Sequence, residues 1–197
     1  MSTTTPPTPG DPLTDSTWSL QRGITMTILS SPGPSGLRSR VHCTPTSKKL
    51  YVPPHWHAAH DEEHVVIKGR LIVMQDGVKR IFTPEDGPCV TKRGVVHSLE
   101  AFEGEELIFE EMSYEMTEQK TYFFRNLAVP GIMSSPLRIL QIFYYGDTYP
   151  KLPTGLRWLE VPLIVGFGGW LASLLGYKLP DDRLRLDPKR FPRDKKD

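Results

Sequence analysis

Two histidines separated by a single residue, His55 and His57, with Glu62 five positions further on, restrict the backbone that can carry them together. On a β-strand the side chains at i and i+2 leave the same face. The pair therefore points one way from one strand, and the next strand can bring Glu62 alongside. Imidazole and carboxylate are the ligand types that suit divalent first-row metals. The stretch PPHWHAAHDEEHVVIKG, from Pro53 to Gly69, thus reads as part of a metal site built on β structure.

The surrounding sequence is consistent with a chain that is mainly β. GITMTILS, Gly23 to Ser30, is rich in β-branched residues and reads as a strand, SSPGPSG (Ser30 to Gly36) as a loop, and Arg38–Thr44 and Lys49–Val52 as short strands. Glu62 to Met74 reads as one long strand or two colinear pieces, with Gly69 as a bend or bulge. Asp76-Gly77 is a hairpin signal that folds Val78–Phe82 back antiparallel. Further strand pieces at Cys89–Thr91, Val95–Leu99 and Glu106–Tyr114 are separated by turn signals. Short strands at such spacing indicate an all-β sandwich or barrel.

With 197 residues and a net charge of +1, the chain is long enough for one domain with a sizeable core, and it has no basic stripe of the kind nucleic acid requires. Residues 1–17 are rich in Ser, Thr, Pro and Gly and are expected to be disordered. They contain no apolar segment of a secretory signal, so a cytoplasmic location is expected. Cys43 and Cys89 are too few for a disulfide framework and read as small buried residues.

Beyond Met116 the pattern becomes helical. TEQKTYFFRNLAVPG has Glu118 in its first turn and ends at Pro130-Gly131. A second apolar segment runs from Leu137 to Tyr145. The third, LRWLEVPLIVGFGGWLASLLGYK, is the most hydrophobic part of the chain. It is slightly short for a membrane span, and it leaves open a buried or dimer-packing helix, interfacial membrane contact or a span. The expected organisation is residues 1–17 disordered, 18–115 a barrel, 116–178 a helical hydrophobic extension, and 179–197 a charged, mobile tail.

A further histidine, His97, follows Gly94 in GPCVTKRGVVHS. Together the two stretches resemble motif 1 and motif 2 of the cupin superfamily, small double-stranded β-helix (jelly-roll) proteins. The resemblance covers about Leu50 to Tyr114. It implies a cupin jelly-roll barrel, followed here by the helical apolar extension, and it implies that the metal ligands are His55, His57, Glu62 and His97. The glycine that usually opens motif 1 is replaced by Lys49, and the proline of motif 2 by Lys92. None of the ligand positions is altered.

The expected cofactor is one divalent metal ion, Fe2+ first, then Mn2+, Ni2+ or Zn2+. Four protein ligands on an octahedral ion leave two positions for water, dioxygen or a chelating substrate. The resemblance implies a metal-dependent enzyme acting on a small-molecule substrate: an oxidoreductase such as a dioxygenase, or a non-redox isomerase, cyclase or decarboxylase. A non-catalytic binding or sensing module is the remaining class. The long extension is similar to that of small cupins from filamentous fungi, which points to a secondary-metabolite substrate of polyketide type. Partners left open are a homodimer and peripheral membrane contact through 156–177.

His64, two residues after Glu62, faces inward on a regular strand. It reads either as a proton-transfer residue of the site or as a hydrogen-bonded buried histidine. His60 reads as a solvated loop residue. Lys92 and Arg93 read as a charged turn, with contact to an anionic substrate as the alternative. Phe109, Met112 and Tyr114 read as barrel lining or core.

Overall fold

The computed structural model describes residues 10–13, 15–30, 37–153 and 156–185. The loop expected at Ser30–Gly36, most of the N-terminal segment and residues 186–197 of the tail lie outside the described residues, apart from Ser30 itself.

Eleven strands follow in chain order: β1 (Thr17–Gln21), β2 (Ile24–Ser30), β3 (Leu37–Cys43), β4 (Tyr51–Trp56), β5 (Glu62–Lys68), β6 (Leu71–Gln75), β7 (Val78–Phe82), β8 (Cys89–Thr91), β9 (His97–Ala101), β10 (Leu107–Ser113) and β11 (Tyr149–Pro150). They form a six-stranded sheet in the order β1-β2-β3-β10-β5-β8 and a five-stranded sheet in the order β11-β4-β9-β6-β7. Every pairing between these strands is antiparallel. From β3 to β6 each successive strand crosses to the other sheet, and β8, β9 and β10 do so again. That alternation winds the chain into a double-stranded β-helix, the jelly roll expected from the sequence.

The glycine at 69 does something other than bend a single strand. The residues expected as one long strand are two, and they belong to different sheets. Gly69 is the corner between them, with φ of +82°. A Cβ there would stand 2.1 Å from the Glu106 carbonyl oxygen, so both the dihedral and the space call for glycine. The Asp76-Gly77 hairpin is as expected, with both residues at positive φ, 47° and 87°, as the tight primed turn requires.

Inward-facing positions change character along the strands. On β5, Glu62, His64 and Val66 are buried in alternation. On β10, Leu107, Phe109, Glu111 and Ser113 are buried, and the register sets Phe109 against Val66, Glu111 against His64 and Ser113 against Glu62. One end of the barrel is thus apolar, with Trp18, Ile24, Leu71, Val73 and Leu107 in the same core. The opposite end is lined by histidines and carboxylates. Burying the large apolar side chains stabilises the barrel by about 1.5–3 kcal/mol each, and it holds the polar end in place. Cys43 and Cys89 are free thiols within the apolar core, and burial pushes them up to about 12 and about 11 respectively. Phe109 and Met112 are buried, whereas Tyr114 is exposed and hydrogen-bonded to Glu63, outside the barrel.

The extension consists of α1 (Thr117–Leu127), α2 (Pro136–Tyr145) and a run made of α3 (Arg157–Pro162), a π-helical stretch (Leu163–Leu171) and α4 (Ala172–Leu174). No side chain caps α1; its N-cap is Met116. Among the described residues no helix is long and apolar enough to cross a membrane. The extension is joined to the barrel through β11, which pairs with β4 so that Tyr149 faces Trp56 and Pro150 faces His55. The tail expected from residue 179 onward begins inside this structure: Leu179 and Leu184 are buried with Phe123, Ile132 and Ile142. At the other end, Gly10 bridges Trp18 just ahead of β1, within the segment expected to be disordered.

Candidate metal centre

The four residues expected as ligands converge. His55, His57, Glu62 and His97 each bring a ligating atom within 4.8 Å of the others. His55 ends on β4 opposite His97 of β9, with ring centroids 4.2 Å apart. His57 Nε2 lies 3.0 Å from one Glu62 oxygen and His97 Nε2 lies 3.1 Å from the other. All but His55 are almost fully buried; His55 is half-buried and marks the side of the site nearest to solvent.

Each of the three imidazoles is held by a backbone carbonyl at its far nitrogen. Nδ1 of His55 donates to the Pro53 oxygen at 2.8 Å, Nδ1 of His57 to the Asp147 oxygen at 2.6 Å, and Nδ1 of His97 to the Val95 oxygen at 3.2 Å. A carbonyl only accepts, so in His55 and His57 the proton sits on Nδ1 and Nε2 keeps its lone pair, while Nε2 of His97 is hydrogen-bonded to Glu62 at 3.1 Å. Burial, above all, lowers His55 well below the ordinary imidazole range, and it lowers His57 to about 4. Around neutral pH these two rings carry no second proton. The Nε2 of His57 has no directed hydrogen bond despite its closeness to Glu62. The neutral imidazoles of His55 and His57 beside the Glu62 carboxylate form a cradle that a cation fits.

Burial would raise Glu62, but neighbouring charges and hydrogen bonds hold it well below the usual carboxylate range. His57 and Lys120, whose Nζ is 3.4 Å from Glu62 Oε1, are the two largest of these influences. Lys120 is carried by α1 and is itself buried.

The extension adds more than this lysine. Asp147 accepts from Ala58 N (3.2 Å), Ala59 N (2.7 Å) and His60 Nδ1 (2.9 Å), besides the bond from its backbone oxygen to His57. Glu160 accepts from Trp56 Nε1 at 2.7 Å and Leu152 N at 2.8 Å. Trp56 is stacked on Tyr149, with centroids 4.5 Å apart, and carries the Arg157 guanidinium on its ring. The strand that bears the histidine pair is thus clamped from outside the barrel by residues some ninety to a hundred positions downstream. No short-range pattern marks Lys120, Asp147 or Glu160, so reading the chain locally misses them. The one cue is that each is a charged residue within an otherwise apolar or turn-forming segment.

His60 is not the solvated loop residue expected. It is fully buried, and its Nε2 is 3.4 Å from Glu62 while its Nδ1 donates to Asp147. The loop folds inward because Asp147 gathers its backbone amides. His64 does face inward and is fully buried, with Nε2 3.6 Å from Glu111 and 4.0 Å from Glu62, and neither ring nitrogen is hydrogen-bonded. Burial lowers it, but Glu111 and Glu62 outweigh that and raise it overall. Lys92 and Arg93 form the charged turn: Lys92 Nζ and Arg93 N both bond Asp61, at 2.9 Å and 2.8 Å.

No protein-family model matches the chain. Over 153 residues it is 30% identical to the probable oxidoreductase patJ of Penicillium expansum, a match covering 64% of this chain and 43% of that protein. The chain spans less than half the length of that relative. Among solved structures it is similar to KdgF from a Halomonas species, at 24% identity and a TM-score of 0.40 over 49% of this chain and 84% of the other. It is also similar to a predicted oxalate decarboxylase from Thermotoga maritima, at 24% identity and a TM-score of 0.39 over 51% and 91%. A third is an RmlC-like cupin from Shewanella frigidimarina, at 17% identity and a TM-score of 0.38 over 51% and 84%.

Proposed function

We propose that the barrel is a cupin barrel and that the chain is a metal-dependent enzyme, an oxidoreductase acting on a small organic molecule of secondary-metabolite type. The observation that carries this is the convergence of His55, His57 and His97 on Glu62, with His55 and His57 held neutral by burial. His55, His57, Glu62 and His97 would hold one divalent ion, Fe2+ by preference. Three imidazoles and a carboxylate on an octahedral ion leave two positions for exchangeable ligands, unlike a closed tetrahedral zinc site. The name of the fungal relative, a probable oxidoreductase, favours redox chemistry over isomerisation.

When bound, the ion would supply Lewis-acid and redox chemistry at those two positions. The chain's own residues do the rest. The three carbonyls at Pro53, Val95 and Asp147 keep the imidazoles in one orientation. Lys120, 3.4 Å from Glu62, favours its anionic form. His64, buried with Glu111 3.6 Å from its Nε2, is the residue we assign to proton transfer.

Elemental analysis of the protein purified without oxygen, beside His57→Ala, tests the reading. Stoichiometric iron that falls at least about tenfold in the variant is expected. Finding no stoichiometric metal in the native protein would sink the enzyme reading. Substrate turnover that proceeds without oxygen uptake would replace the oxidoreductase by a non-redox reaction at the same ion.

A further inference from the structure

The metal centre leaves one large feature of the extension unused. The run from α3 to α4 packs on α2 by its small side. A Cβ at Gly168 would stand 2.1 Å from the Leu140 carbonyl oxygen, and one at Gly169 would stand 3.0 Å from the Tyr144 ring. Ile164 and Ala172 on that side are fully buried. The large side chains point outward instead: Trp158 is 69% exposed, Trp170 77%, Leu174 83%, Leu175 57% and Phe167 48%. A helix on the surface of a water-soluble domain carries polar residues on that face. Scattered exposed apolar residues are ordinary, but a stripe of this size along one run is not.

Charge in this stretch of the chain is sorted by burial. Between Ala128 and Pro180 the acidic residues are Asp147 and Glu160, and both are buried and hydrogen-bonded within the clamp. The basic residues over that span are Arg138, Lys151, Arg157 and Lys178, and all four are exposed. Arg157 reaches back to the Gly94 oxygen and lies over the Trp56 ring but keeps its exposure. Every exposed charge between residues 128 and 180 is therefore positive, although the whole chain is nearly balanced at +1.

We propose that the outer face of residues 156–178 rests on the surface of an anionic lipid bilayer. Trp158, Phe167, Trp170 and Leu174 enter the boundary between headgroups and acyl chains, and the basic residues meet lipid phosphates. Tryptophan, with its apolar ring and N–H, is suited to that boundary. The run is helical throughout, so its backbone is satisfied internally where water is scarce. No described helix is long and apolar enough to cross, so the segment lies on the surface. A second copy of the chain is a poorer occupant: a two-fold contact would bring the same cations to both sides of one interface.

The test uses the full chain with vesicles of phosphatidylcholine alone and of phosphatidylcholine with phosphatidylserine, read by co-sedimentation and tryptophan emission. Binding to the anionic vesicles with a blue shift is expected, weaker by at least about tenfold in high salt and on the neutral vesicles. The double variant Trp170→Ser/Leu174→Ser removes two side chains more than three-quarters exposed, so the fold and metal content should be retained while vesicle binding falls by about tenfold or more. Failure to sediment with either vesicle overturns the proposal, as does binding that the variant leaves unchanged. A native dimer that the variant converts to monomer on gel filtration also overturns it, by making this face a self-contact.

Discussion

Asp147 has a φ of +51°, a backbone region that a residue with a side chain enters at a cost of about 1–2 kcal/mol. Its hydrogen bonds to His57, Ala58, Ala59 and His60 offset that cost. Asp147→Ala leaves two amides and a buried imidazole without acceptors. It should destabilise the protein by about 2–4 kcal/mol and weaken metal binding about 10- to 100-fold, as read by thermal denaturation and metal titration. Asp147→Asn, which keeps an oxygen acceptor, should recover part of both. The apoprotein should also be sensitive to acid. His57 titrates near 4 when folded and near 6.5 when unfolded, so between those values the unfolded chain binds the extra proton and stability falls as pH falls. Asp147, lowered by its hydrogen bonds against the effect of burial, adds to the same trend below pH 4. The raised His64 acts in the opposite sense near neutral pH, so urea midpoints should decline from pH 6 to pH 4; a midpoint rising over that range would contradict these assignments. At this scale His55, His57 and Glu62 were readable because their spacing is local to two successive strands, and His97, some forty residues on, because its stretch resembles a second motif. His60, Lys120 and Asp147 were not, because their roles depend on contacts between distant segments.

Among the elements, the strands and the Asp76-Gly77 hairpin follow from alternation and turn chemistry, which act between near neighbours. The passage from β5 to β6 was harder to read, since a glycine at a sheet corner and a glycine at a bulge look alike in sequence. What separates them is the carbonyl of Glu106 packed where a Cβ would be, a contact with the strand that follows much later. The three apolar segments of the extension were legible as helices, but which of their faces would be buried was not, because the third is apolar all round. Gly168 decides that: its backbone touches α2 at Leu140. Gly168→Val should force the run away from α2 and cost about 1–3 kcal/mol or more, measured as a lowered urea midpoint. Gly166, with open space where its Cβ would lie, provides the control: Gly166→Ala should be neutral or slightly stabilising.

For the whole molecule, barrel and extension act as one unit, because the polar end of the barrel carries partners from both. Metal that binds only the folded form stabilises it by mass action, by about 2.7 kcal/mol at a hundredfold excess over Kd. Chelation should therefore lower Tm by several degrees, and His57→Ala should abolish the difference between chelated and metal-loaded samples. The same dependence has a consequence for how the protein is made. His57 and the carbonyl that sets its tautomer are 90 residues apart, and β11, which covers the outer edge of β4, is also supplied late in the chain. A ribosome delivers the histidine pair well before either partner. Until then, β4 is a bare strand edge, open to pairing with other chains, and its imidazoles are not yet oriented. Loading with metal must wait for the closing of a long loop, one of the slower steps available to a β protein. Refolding should accordingly show metal uptake as its last kinetic phase, and chains released before residue 150 should aggregate through β4.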